Sequence, residues 1–154
     1  MTSVIRKAQQ RDIAQITNIE RDCFPNPWDA STFLTILVRQ GMSIQDFGFV
    51  LMNVINEEEK IEGYIVWSEN LEQQEGRILN IAVEHERRSK GLGKKLLSVT
   101  FNSMQENGIT SCILEVRVSN EAARIFYEKM GMRASDRVHN YYEDEDAIIY
   151  RIDW

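Results

Sequence analysis

Apolar positions along this chain switch between a period of about two and a period of about 3.6, and each switch marks an element. Residues 3–8 read as a short strand. Asp12 can start a helix, and Ile13, Ile16, Thr17, Glu20 and Phe24 then fall at helical spacing. Pro25 and Pro27 end it, because proline disfavours helix at the residue before it. A second short helix, begun by Asp29 or Ser31, carries Phe33, Leu34, Leu37 and Val38 and closes near Gly41. Residues 47–54 are apolar on both faces and read as a central strand. A polar turn at 57–60 joins it to a strand at 61–67, so the pair reads as a hairpin.

After a polar loop at 71–76, a fourth strand is predicted at 77–83. Leu92, Leu96, Leu97, Val99, Phe101 and Met104 then form a broad apolar helical face, stopped by Asn107-Gly108. A fifth strand covers 111–118, and Ser119-Asn120 caps a last helix with Ala123, Phe126 and Met130 on one face and Gly131 at its end. Two strands, about 132–140 and 146–153, complete the chain. This order of strands and helices predicts an α/β mixed sheet with helices on both faces. With 154 residues, no linker and no repeat, a single domain over 1–154 is expected.

Composition narrows the partners. A 43% hydrophobic content can fill a core, and 27% charged residues suit a soluble protein. The net charge of −6 argues against nucleic-acid binding. No apolar run reaches the ~18–20 residues of a membrane span. The N-terminus lacks a signal-peptide core, so a cytoplasmic protein with reduced Cys23 and Cys112 is expected. The two cysteines and two histidines show no metal spacing, and no metal is expected.

The chemistry begins at Arg88-Ser89-Lys90-Gly91-Leu92-Gly93, followed by Lys94, between a predicted strand and a predicted helix. Backbone N–H groups and the helix dipole at such a place suit a phosphate. The nucleoside-triphosphate loop needs four residues between its glycines, and the dinucleotide fingerprint needs a small residue at position 96, where this chain has Leu. What remains, Arg-x-x-Gly-x-Gly, resembles the pyrophosphate loop of the GCN5-related N-acetyltransferases, which bind acetyl-coenzyme A. The alternative is a basic solvated loop before an ordinary helix. Asn80-Ile81-Ala82-Val83, Leu114-Glu115-Val116-Arg117-Val118-Ser119-Asn120, Phe126-Tyr127-Glu128-Lys129-Met130-Gly131 and Asn140-Tyr141-Tyr142 resemble, in order, segments of the RimI/Ard1-type N-terminal acetyltransferases.

The resemblance spans nearly the whole chain and implies the family fold. That fold is a mostly antiparallel seven-stranded sheet with about four helices, splayed between its fourth and fifth strands. It implies Glu115 as the base, acting directly or through water, and Tyr127 as the acid near the thioester sulfur. From the residues alone, Glu115 is equally a surface glutamate paired with Arg117, and Tyr127 is a core aromatic. The family's cofactor contacts fall on the backbone of Ile81, Ala82 and Val83, with Val83 N–H as a candidate oxyanion donor. They continue through Arg88, Ser89, Lys90, Gly91, Leu92, Gly93 and Lys94, and through Asn120 and Tyr127. Arg88 either adds charge or braces the loop, and Asn120 can cap a helix as well.

Trp28, Asn80, Tyr141 and Tyr142 fall on the peptide side; each loop aromatic is alternatively a packing residue. The first loop, Phe24-Pro25-Asn26-Pro27-Trp28, lacks the acidic residue of enzymes for small first residues. It is similar to the Phe-Pro-Trp element of the bacterial enzyme acting on a ribosomal protein N-terminus, which makes a ribosomal protein a candidate substrate and the ribosome a candidate partner. The acidic turn at 143–146 either attracts a basic substrate or is simply solvated. The expectation is acetyl transfer from acetyl-coenzyme A to a protein α-amine, in one ternary complex, with Cys112 as core and not nucleophile. An acceptor of another kind (lysine or a small amine), a non-catalytic coenzyme A-binding module and, more distantly, a nucleotide-binding protein are the alternatives.

Overall fold

The computed structural model describes residues 3–40, 43–44 and 48–154, with side chains described for all but 43–44 and 48–50. Strands are β1 (Val4–Lys7), β2 (Ser43–Ile44), β3 (Gly48–Glu57), β4 (Lys60–Asn70), β5 (Glu75–Val83), β6 (Ser111–Arg117), β7 (Arg133–Val138) and β8 (Ala147–Asp153). Helices are α1 (Ile13–Cys23), α2 (Ala30–Val38), α3 (Leu92–Glu106) and α4 (Glu121–Lys129). Seven strands lie in the order β1-β3-β4-β5-β6-β8-β7, and the two-residue β2 pairs with β3. All neighbours are antiparallel except β5 and β6. Gly41 and Phe47, where the sequence closes a helix and opens a strand, lie outside the described residues.

Caps explain the helix starts. Asp29 accepts from Thr32 N–H at 2.9 Å, and Asn120 accepts from Ala123 N–H at 3.2 Å. The polar loop predicted at 71–76 is shorter, because Glu75 already pairs with Asn70 on β4 and Ser111 on β6. Among the described residues, β4 is buried without a break from Ile61 to Glu69, whereas in β3, which the sequence reads as central, buried and half-buried positions mix from Leu51 to Glu57. Tyr64 and Val66 of β4 face a core built with α1 and α2, and its Ile65 and Trp67 face a larger core under α3 and α4. No described helix is long and apolar enough to cross a membrane.

The sheet splits where β5 and β6 part. They pair only at Glu75↔Ser111, Gly76↔Cys112 and Arg77↔Ile113. Beyond this point β5 pairs only with β4, and β6 only with β8. The ladder between β4 and β5 also slips between Val66 and Trp67, leaving Leu79 as an extra residue. A bulge of this kind bends the strand and re-aims its side chains, here beside the split.

Candidate active site

The split opens a cleft of about 480 Å³. Its walls come from residues 78–81 of β5 and 114–117 of β6, with α1, the α1–α2 loop, α4 and the β7–β8 loop around them. Hydrogen-bond alternation decides which β5 backbone groups face it. Glu84 N–H donates to Glu62 C=O at 2.8 Å, so Tyr64↔Ala82 is a hydrogen-bonded pair, whereas Gly63↔Val83 and Ile65↔Ile81 are not. Ile81 and Val83 therefore turn their amides away from β4 toward the split. Ala82, grouped with them in the sequence reading, spends its backbone on β4 and buries its side chain.

At the mouth of the split the chain makes the glycine loop. Ser89 (φ 66°) and Gly91 (φ 77°) are left-handed, a conformation that glycine adopts without strain. The first helical bond of α3 runs from Lys95 N–H to Gly91 C=O at 3.0 Å. The N–H groups of Leu92, Gly93 and Lys94 precede that bond, so they project from the positive end of the helix. Leu92 buries its side chain and offers only its backbone. Lys90 and Lys94 are exposed and pair with no described carboxylate. Arg88 turns back, donating to Val83 C=O at 3.2 Å and to Cys23 Sγ at 3.1 Å. It braces the loop while remaining exposed.

Glu115 and Tyr127 line the same cleft. On β6, Cys112, Leu114 and Val116 point into the core, which sets Glu115 on the other face with its side chain 14% exposed. Its partner is Arg77 on β5, not Arg117 as the same-strand spacing allowed. The register of the parallel β5–β6 pair, which no local pattern reveals, makes that contact. Arg77 holds Oε1 and leaves Oε2 without a described partner. Tyr127, on α4, is buried among Phe126, Tyr150 and the α3 core, and its hydroxyl bonds to no described residue. Burial, and then the nearby Tyr142 and Cys112, push its phenol well above the ordinary tyrosine value, so it stays protonated. Cys112 packs in the core, and burial pushes its thiol up to about 12, so it is held as the thiol and not the thiolate at neutral pH. Asn120 caps α4 through its oxygen while lining the cleft, so its NH2 group remains for a ligand.

The remaining wall is held by side chains. Trp28 and Tyr142 line the cleft, and Asn80 joins them from β5. Trp28 packs on Phe33 with ring centroids 5.6 Å apart, and its backbone N–H donates to Glu20 at 2.9 Å. The guanidinium of Arg117 lies 4.1 Å from the Tyr142 ring centre and pairs with Asp144 at 2.7 Å and Glu145 at 3.2 Å. Tyr141 is 51% exposed and stacks edge-on against Tyr142, outside the cleft lining.

Part of the acidic turn is spent on staples, while Glu143 and Asp144 stay exposed. Glu145 accepts from Ser119, and Asp146 accepts from Arg137, His139 and Asn140 N–H. Those bonds, led by the Asn140 N–H, hold the Asp146 carboxyl at about 2. Sequence reasoning missed Glu20, Arg77 and Arg117 as builders of the site. Only Glu20 left a signal, a charge within the apolar stripe of a helix.

The sequence profile of the Acetyltransferase (GNAT) family matches residues 13–132. An uncharacterised N-acetyltransferase of Methanocaldococcus jannaschii is 35% identical over 150 residues, covering 95% of this chain and 88% of the relative. An N-alpha-acetyltransferase of Saccharolobus solfataricus is 32% identical over 157 aligned positions, covering 94% and 89%. The crystal structure of the Escherichia coli ribosomal-protein-S18-alanine N-acetyltransferase superposes with a TM-score of 0.84 at 28% identity, covering 99% of this chain and 94% of that one. Members of this family use acetyl-coenzyme A, and the split sheet, the loop with its projecting N–H groups and the match over most of the chain agree. The chain belongs to the GNAT acetyltransferase family.

Proposed function

We propose that this protein transfers acetyl from acetyl-coenzyme A to the α-amine of a protein N-terminus, by direct transfer within one ternary complex. The observation that carries the reading is one cleft lined by both Glu115 and Tyr127, bracketed by Trp28 and Tyr142. The chain has a fitting place for the donor: Ile81 and Val83 amides facing the split, Asn120 NH2, and projecting N–H groups from Leu92 to Lys94. Ser89, Lys90, Gly91 and Gly93 shape and charge the same loop. Bound there, acetyl-coenzyme A supplies the thioester.

Glu115 takes a proton from the amine, directly or through water, as the nitrogen–carbon bond forms. Val83 N–H steadies the negative charge that develops on the carbonyl oxygen. Tyr127 gives its proton to the departing sulfur as the carbon–sulfur bond breaks. An α-amine, with a pKa of ~8 against ~10.4 for lysine, is the easier acceptor for a modest carboxylate base. The relatives named for peptide N-termini support the same acceptor, and a ribosomal protein is the natural first candidate.

Thiol release from acetyl-coenzyme A, measured with peptides bearing a free N-terminus and with N-terminally blocked, lysine-containing versions, tests the reading. Turnover confined to the free N-termini is expected. Turnover confined to the blocked peptides contradicts it.

A further inference from the structure

Glu20 is 1% exposed, on the buried side of α1 beside Ile16, Thr17 and Ile19, none of which carries a charge. A buried carboxylate is costly unless it is compensated. Among the described residues no cation pairs with Glu20. Instead, three neutral donors from three elements converge on it. The Tyr64 hydroxyl on β4 and Asn80 Nδ2 on β5, at 2.7 Å, both reach Oε1, while the backbone N–H of Trp28, at 2.9 Å, reaches Oε2. Burial, then the bond to Glu20 and its charge, push the Tyr64 phenol far above its ordinary value, so it remains a donor.

This arrangement determines which way Asn80 points. A carboxylate only accepts hydrogen bonds, so Asn80 has to turn its NH2 group to Glu20. The other branch of the amide, Oδ1, is then the one left over. No described residue donates to it, and Asn80 lines the cleft together with Glu115.

We propose that Glu20 is a positioning residue for the acceptor amine: it locks Asn80 with Oδ1 presented to the cleft, where that oxygen accepts an N–H of the incoming amine. An attacking amine must aim its lone pair at the carbonyl carbon. Two acceptors, Glu115 for the proton that leaves and Asn80 Oδ1 for one that stays, orient the nitrogen. The same carboxylate holds the entrance loop through Trp28. The inference rests on the proposed function only in requiring a primary amine as acceptor.

The variants that test it are Asn80→Ala, Glu20→Gln and the double change, assayed with acetyl-coenzyme A and a free-N-terminus peptide, with thermal melts alongside. A glutamine at position 20 keeps an oxygen for Trp28 N–H but offers an NH2 group, which invites Asn80 to flip and present its own NH2 to the substrate. Losing one such hydrogen bond corresponds to about a tenfold fall in kcat/KM for the peptide, with the KM for acetyl-coenzyme A within about twofold of wild type. Each single variant should show that fall. The double variant should be no worse than Asn80→Ala, because Glu20 acts through Asn80.

A peptide kcat/KM unchanged in Asn80→Ala, or losses that multiply in the double variant, would overturn the proposal. If Glu20→Gln lowers the melting temperature, Asn80→Ala still decides. The cycle is run with whichever amine the wild type acetylates. A chain that takes only lysine contradicts the proposed function and leaves this test intact.

Discussion

The two sides of the cleft are built from different materials. The donor side, from Ile81 through the glycine loop to the first turn of α3, presents mainly backbone N–H groups aimed by strand register and a left-handed turn. The acceptor side presents side chains: Asn80, Tyr142 and Glu115, each held by a second residue, and Trp28, whose ring packs on Phe33 and whose backbone N–H is tied to Glu20. A phosphate is the same in every acetyl donor, so a backbone cradle suffices. An acceptor has to be discriminated, and side chains held by Glu20, Arg77 and Arg117 can do that. Changes on the donor side should therefore act on the KM for acetyl-coenzyme A, and changes on the acceptor side on peptide kinetics.

The largest effect belongs to the chemistry between the two sides. Glu115→Gln should lower kcat by roughly 10²–10⁴-fold, the usual worth of a positioned base, while calorimetric binding of acetyl-coenzyme A is unchanged. Equal losses in turnover and donor binding would break the division. Tyr127→Phe should lower kcat less, and the wild-type rate should not decline up to pH ~10, because the raised phenol stays protonated. A basic limb near pH 8 that vanishes in the phenylalanine variant would contradict this.

Gly91→Val places a branched side chain at φ 77°, at a strain of about 1–2 kcal/mol. It should raise the KM for acetyl-coenzyme A with little change in that for peptide. Arg117→Leu frees the Tyr142 ring and the turn at 144–145, and should raise the peptide KM by a few-fold, about the size of an exposed cation–π contact. A change confined to the donor KM would reverse the assignment of sides.

The smallest effect is on stability. Cys112, Tyr64 and Tyr127 all keep their protons in the folded chain beyond the pH at which an unfolded chain releases them. Stability is then full below about pH 9 and falls as pH rises above it, since the native state binds more protons than the unfolded one. Denaturant melts at neutral and high pH would show a lower midpoint at high pH. An unchanged midpoint would contradict the burial of these groups.

The same difference explains which parts of the molecule are legible in the sequence. The glycine loop was legible because its chemistry is local: a strand, a left-handed turn and a helix start lie within a short stretch of chain. Among the described residues, the four α-helices and the seven principal strands are legible too, since period and caps such as Asp29 and Asn120 are local signals. The acceptor side was only half legible. Trp28 and Tyr142 could be named, but Arg77 reaches Glu115 through a cross-strand register, and Arg117 leaves Glu115 for a turn 27 residues away. The inward bonds of Glu145 and Asp146 and the exposed place of Tyr141 likewise depend on contacts that no local pattern carries. The separate roles of Ile81, Ala82 and Val83 needed the β4–β5 pairing, which one strand alone does not reveal.

The central claim is that the acceptor is a protein α-amine. Mass spectrometry of N-terminal and lysine acetylation in cells with and without this protein tests it most directly. The account predicts that a defined set of N-termini loses acetylation when the protein is removed, while lysine acetylation stays the same. Unchanged N-termini together with the loss of acetyl from lysines or a small amine would contradict it.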